Sequence, residues 1–430
     1  MPASAAAAAP DALSYRALLR VPQLGRVILS MQLSRIGATA LGVGLTLFTL
    51  VRYDAPELAG IVSFASIVPG LFLSPIAGAL LDRHGRVRLV ALDQCVAAIA
   101  LALVALLSLA GALTPAVLVA IAAAASLTGP LGGTGVRSLF PLMVPPALWG
   151  RANAVDSNGY LAATVVGPPL AAGAIALAGP EGALLVHALP FLLAAASLRG
   201  VREPRTEDAS TGDLVRDAWL GLRYVLGNPT LRGLAAGIGS LNACVGILSI
   251  VIPLLVLRRL DGGEALVGIA FAVAGVTGIV SGFAFGRIDT QRRGWLILWV
   301  GPLCIAPAVA LLLVTAGVEQ TVGIACVFVA MAWYGLVAGP HDVTMFTMRQ
   351  TRTDRAWFGR AFAISMAMNY VGTPIGAALA GFLAERSLDT AILAGVVACG
   401  VSALALALLV PRTARAAPGT RPARGAGVGS

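Results

Sequence analysis

Long apolar stretches recur along almost the whole chain, separated by short polar connections. A helix needs ~20 apolar residues to cross the hydrocarbon core of a bilayer, and a tilted barrel strand needs ~10. Twelve stretches reach helical length: 27–51, 58–81, 88–111, 113–140, 151–178 and 182–198, then 230–257, 265–288, 294–316, 320–346, 358–384 and 388–410. Runs of this length exclude barrel strands. In hydrocarbon each helix satisfies its own backbone hydrogen bonds, so glycine and proline within the runs must be served locally or by neighbouring helices. One connection is long, from Arg199 to Pro229. Its second part sets Leu214, Trp219, Leu222 and Leu226 at roughly helical spacing, which predicts an amphipathic helix along the membrane face. The layout is a flexible tail at 1–22, a first bundle at 23–199, a linker at 200–229, a second bundle at 230–411 and a flexible tail at 412–430.

Composition agrees. Of 430 residues, 58% are hydrophobic and 12% charged, half the ~25% of a soluble domain, and mean hydropathy is +0.88. That excludes a set of soluble domains, a disordered chain and a disulfide scaffold. Net charge is +10, and all 30 basic residues are arginine. A basic excess can mark a nucleic-acid surface, but here it sits in short loops between spans. Arg52, Arg258, Arg259 and Arg386 fall on one side, Arg35 lies inside the first span, and the other 25 fall on the opposite side. The positive-inside rule makes that side cytoplasmic and places both termini there. Cys95, Cys244, Cys304, Cys326 and Cys399 all lie within apolar runs, without metal-ligand spacing, and read as small buried hydrophobes. The first ten residues carry no basic residue ahead of their alanine run and fail as a signal peptide.

The chain also repeats itself. Gly129-Pro130, Gly150-Arg151-Ala152 and Gly167 recur as Gly339-Pro340, Gly359-Arg360-Ala361 and Gly376, an offset of about 209 residues. Six spans separate the copies, so both halves keep one orientation, a parallel repeat about an axis along the membrane normal. Two six-helix bundles with a cleft between them follow.

The loop after the second span reads Gly78-Ala-Leu-Leu-Asp82-Arg83-His84-Gly85-Arg86-Val-Arg88. This resembles the signature loop of the major facilitator superfamily. Three further stretches are similar to the enterobactin-exporter-like and macrolide-efflux-like permeases of that superfamily: Ser34-Arg35-Ile-Gly37, Val144-Pro-Pro with Gly150-Arg151-Ala152-Asn153-Ala154, and Gly221 through Arg232. The resemblance covers about residues 15–412. It implies an all-α membrane protein, twelve transmembrane helices in two pseudo-symmetric bundles, in a bacterial cytoplasmic membrane. It implies secondary active export of a small organic molecule by a chain acting as a monomer, without cofactor. It also implies that Gly78, Asp82, Arg83, Gly85 and Arg86 latch the bundles together in the outward-open state. Gly167-Pro168-Pro169 resembles the Gly-Pro motif of drug antiporters, and with Pro374 and Gly376 suggests a hinge in each bundle.

Ionisable residues inside spans are costly and usually functional. Arg35 in the first span has Asp156 in the fifth and Asp93 in the third at similar depth, either of which can pair with it or carry a coupling proton. Arg137, His341 and Asp342 lie near the cytoplasmic ends of spans four and ten and are candidates for a gate between bundles. Asn158, Asn242, Tyr334, Asn369 and Tyr370 are candidate cavity residues, suited with nearby methionines to an amphipathic, mostly uncharged molecule. No P-loop, metal motif or catalytic triad occurs, which argues against an ATP-driven pump or an enzyme. Uptake by the same fold is the alternative, with a membrane enzyme or receptor a more distant one.

Overall fold

The computed structural model describes residues 15–145, 148–203, 214–285, 290–354 and 358–412. Among them there are helices and no strand. A short α1 (Tyr15–Leu19) leads into α2 (Leu24–Tyr53), the first span. The second span is divided into α3 (Pro56–Ala65) and α4 (Val68–His84). The third is α5 (Arg86–Leu109), and the fourth is divided into α6 (Pro115–Ser126) and α7 (Gly129–Met143). Both divisions fall just before a proline, Pro69 or Pro130, whose missing N–H and bulky ring disfavour the preceding turn. The two breaks face each other. A Cβ added to Gly70 would lie 2.1 Å from the Ser126 carbonyl oxygen, so only glycine permits this approach.

Spans five and six form one run, α8 (Trp149–Ser197), which turns at Gly179 with φ 73 and ψ 175. Among the described residues, eleven helices are long and apolar enough to cross a membrane, and dividing α8 at Gly179 makes twelve. A linker helix, α9 (Leu214–Gly227), joins the halves. The second half comprises α10 (Pro229–Leu254), extended by a π turn over Leu255–Arg259, then α11 (Glu264–Phe285), α12 (Thr290–Leu311) and α13 (Gln320–Thr351). Its eleventh span is α14 (Phe358–Tyr370) with α15 (Gly372–Arg386), and α16 (Leu388–Leu409) is the last.

Side-chain register gives each helix a direction. Along α2, Arg35 meets Asp156, Thr39 meets Ala163 and Gly167, and Gly44 meets Ala171, so the first part of α8 runs parallel to α2. Gly37 meets Phe191 and Gly44 meets His187, so the part after Gly179 runs antiparallel. The second half repeats this. Gly239 and Gly246 lie against Gly372 and Thr373–Ala377, whereas Gly233, Gly237 and Cys244 lie against Val410, Leu406 and Cys399. Gly167 against Thr39 and Gly376 against Ala243 are equivalent close approaches, so the repeat is structural as well as sequential.

The end of the molecule where α2 and α10 begin is called the base here, and the opposite end the far side. The bundles meet on the far side. Arg258 donates to the Asp54 carbonyl oxygen at 2.5 Å and pairs with its carboxylate. Gly60 packs on Ala377 and Ala378, Gly381 on Pro56 and Glu57, and Gly268 on Pro168 and Pro169. One apolar core crosses between bundles there, joining Leu47, Leu50, Ala59, Ala172 and Ile175 to the second half. Toward the base each bundle keeps its own cluster, around Leu24, Val27 and Leu139 in one and Leu234, Leu298 and Leu406 in the other. Large apolar side chains are exposed along the helices, as lipid contact allows: Leu177 is 91% exposed and Leu408 73%.

The stretch expected to form a tail reaches less far than residue 22. Leu18 of α1 is buried with Leu24, Val27 and Leu198, because an apolar turn beside the base of α2 and α8 gains more by packing than by solvation. Residues 1–14 and 413–430, and 204–213 of the linker, lie outside the described residues.

Candidate functional site

The interface of α2 with α8 carries a polar ladder. Gln32 donates to the Val155 carbonyl at 3.4 Å, and Thr39 to the Ala163 carbonyl at 2.9 Å. Between them Arg35 donates to the Asp156 carbonyl at 2.6 Å and pairs with its carboxylate. Both side chains are mostly buried. In low dielectric such a pair is retained only when each charge is compensated, and here one guanidinium serves both the carboxylate and a backbone oxygen. Arg35 also lies 5.8 Å from the Tyr160 ring centroid.

Tyr160 leads across the cleft. Its hydroxyl lies 3.4 Å from that of Tyr370 in α14, where the last turn of that helix is interrupted before Gly372. Beside Tyr370, the Asn369 amide is best satisfied with its oxygen accepting from Arg349 at 2.5 Å and its nitrogen donating to the Ser365 carbonyl at 3.1 Å. Asn242 donates to the Asn369 carbonyl at 2.9 Å. Arg349 is fully buried at the end of α13, against Met366 and over the Phe346 ring.

The signature loop lies at the base. Gly85 joins α4 to α5 with φ 89, which an L side chain adopts only under strain. The Glu203 carboxylate accepts from the Arg86 and Val87 backbone N–H groups at 2.6 and 3.3 Å and pairs with the Arg86 guanidinium at 2.8 Å. A carboxylate at a helix start satisfies N–H groups that have no partner within the helix and meets the positive end of its dipole.

The structure distributes the other candidate residues. Arg35 selects Asp156; Asp93 instead faces Gly132 and the Thr128 side chain at the α6–α7 break. Its neighbour Gln94 takes the face of α5 toward α2, bonding Ser30 at 2.9 Å, which turns Asp93 away. His341 does not face the other bundle. It is buried against Gly301 of α12, within its own bundle, whereas Asp342 is 64% exposed. Gly167 and Gly376 make close helix contacts rather than interruptions, and α8 continues through Pro168 and Pro169; the break in span eleven falls at Val371, ahead of Pro374. Arg86 is tied to Glu203 at the start of the linker. Arg83 is exposed. Asn242 bonds the Asn369 carbonyl beside Tyr370, while Tyr334 packs into the core. The side chains of Asp82, Arg137 and Asn158, and of the nearby Phe362, lie outside the described residues, as does any contact of Gly78.

A family profile, Major Facilitator Superfamily, matches residues 27–359. The chain belongs to the Major Facilitator Superfamily. It is a multi-pass membrane protein of the transporter type. It is 35% identical over 387 residues to an uncharacterized MFS-type transporter, y4rN, of Sinorhizobium fredii, covering 89% of this chain and 94% of that one. It is 27% identical over 414 residues to the multidrug efflux pump Tap of Mycobacterium bovis, covering 91% and 92%. Among solved structures, the nucleoside transporter NupG superposes with TM-score 0.68 at 12% identity over 89% of this chain and 97% of that one. A bacterial homologue of the lysosomal transporter Spinster, inward-facing and unoccupied, superposes with TM-score 0.63 at 17% identity over 91% and 92%.

Two engaged charges, Arg349 and Glu203, are not distinguished by the sequence pattern. Arg349 was grouped with the loop arginines, but α13 continues beyond it and encloses it. Its signal was position: it stands among Met345, Phe346 and Met348, two residues before the polar Thr351–Asp354 segment. Glu203 stood among several linker charges, and only its place directly after span six, within reach of an Arg-rich helix start, distinguished it.

Proposed function

We propose that this transporter exports small amphipathic organic molecules by alternating access, driven by a proton gradient across a bacterial cytoplasmic membrane. The observation that carries the reading is one-sided closure of a duplicated fold: the bundles share an apolar core and glycine contacts on the far side and keep separate cores toward the base. Two bundles that rock about their contact expose a site to one face at a time. The arginine-rich loops make the base cytoplasmic, with both termini there, so the state seen opens inward. Export rather than uptake is favoured by the similarity to a multidrug efflux pump.

Asp156 is the best candidate for the coupling group, because protonation would release Arg35 and weaken the tie of α2 to α8. The solute sits between the bundles around Tyr370, Asn369 and Asn242. The transporter acts as a monomer with lipid as its outer solvent, and no chemical step is asked of it. In inside-out proteoliposomes with an imposed pH gradient, fluorescent organic solutes should accumulate, and a protonophore should abolish this. Accumulation only in right-side-out vesicles would instead make it an uptake system.

A further inference from the structure

Tyr160 and Tyr370 lie in spans five and eleven, which the internal repeat relates. One comes from each bundle, and their hydroxyls lie 3.4 Å apart across the cleft. Both remain open, 41% and 42% exposed, although each faces the other bundle rather than the outer surface. The charges beside them are engaged. Arg35 is held by Asp156, and Arg349 lies against Met366 and the Asn369 amide. A charged ligand arriving here would have to compete with those pairings. Aromatic faces and phenol oxygens are what the pair offers.

We propose that Tyr160 and Tyr370 form an aromatic clamp that takes a flat, uncharged aromatic ligand with a hydrogen-bonding edge between the two bundles. The ligand replaces the hydroxyl–hydroxyl contact with stacking on the rings and hydrogen bonds to the phenols. Because one ring belongs to each bundle, ligand binding is tied directly to bundle separation. The clamp deepens the transport reading and rests on it for its meaning, but its binding is measurable without transport.

The test is equilibrium binding to the full-length protein in lipid nanodiscs, using acridone, 4-methylcoumarin and flavone as uncharged probes and 9-aminoacridine as the cationic counterpart of acridone. Wild type should bind at least one uncharged probe, and acridone more tightly than 9-aminoacridine. Tyr160→Leu and Tyr370→Leu keep apolar volume but lose the aromatic face, and should each weaken binding about five- to tenfold. Tyr160→Phe and Tyr370→Phe keep the rings and should lose about threefold or less, which also controls for misfolding. Failure of all three uncharged probes to bind overturns the proposal, as does tighter binding of 9-aminoacridine or unchanged affinity in folded leucine variants. Wild type that binds acridone as stated but moves no solute in proteoliposomes sinks the transport reading and leaves the clamp standing.

Discussion

Arg35 and Asp156 show how a charge survives inside a membrane bundle: each removes the other's reason to be hydrated, and the Asp156 carbonyl takes a further guanidinium proton. Removing one partner strands the other. Asp156→Asn should destabilise the protein by about 3–5 kcal/mol, whereas the double change Arg35→Gln with Asp156→Asn should recover much of that loss. Unfolding in detergent, followed by tryptophan fluorescence, gives the comparison. If Asp156 also carries the coupling proton, the recovered double variant will fold yet lose dependence on the pH gradient. The pairing was half legible beforehand. Depth along a span follows from residue count, so Arg35, Asp156 and Asp93 could be set at similar heights, but depth leaves rotation about the helix axis open. That rotation sends Gln94 toward Ser30 and Asp93 toward Gly132, and in the same way puts His341 against Gly301 and not in a gate.

At the scale of helices, hydrocarbon makes the sequence informative, since each span must be long, apolar and internally hydrogen-bonded. All twelve spans could be placed for that reason, including the two that meet at Gly179 with almost no loop. Which glycine packs and which is idle was not legible, because it depends on the neighbouring backbone. Gly376 would set a Cβ 1.9 Å from the Ala243 carbonyl oxygen, while Gly400 has nothing within 4 Å. Gly376→Ala should therefore cost about 1–3 kcal/mol by forcing α15 from α10, and Gly400→Ala should be neutral or slightly stabilising, as expected of an open helical site. Paired melting curves decide this. The start of α5 is a second case. Glu203, 117 residues beyond Arg86, closes it, a relation no local pattern reveals. Glu203→Gln should lower local stability there by about 1.5–3 kcal/mol, seen as faster amide exchange at Arg86 and Val87 with little change elsewhere in α5.

The whole molecule is a pair of like-oriented bundles held at one end, so its conformational balance is set by what lies in that seam. On the far side the seam combines an exposed ion pair, Arg258 with Asp54, and glycine contacts of α3 with α15 and α8 with α11. An exposed pair is worth about 0–1 kcal/mol, so close packing is the stronger holder. Without a hydrophobic drive between helices in lipid, association depends on such backbone proximity. Gly60 would place a Cβ 2.7 Å from the Ala377 oxygen, and Gly381 one 2.6 Å from the Pro56 oxygen. Gly60→Leu or Gly381→Leu should wedge the seam open and shift the population toward closure at the base, while Asp54→Asn should shift it much less. Spin labels at the exposed Glu57 and Asp261 report the far side, and labels at Arg83 and Asp354 report the base, in a background lacking the five native cysteines. The leucine variants should lengthen the first distance and shorten the second together, as rigid rocking requires. Lengthening of the far-side distance with no change at the base would mean that the seam frays locally and that the bundles do not move as bodies.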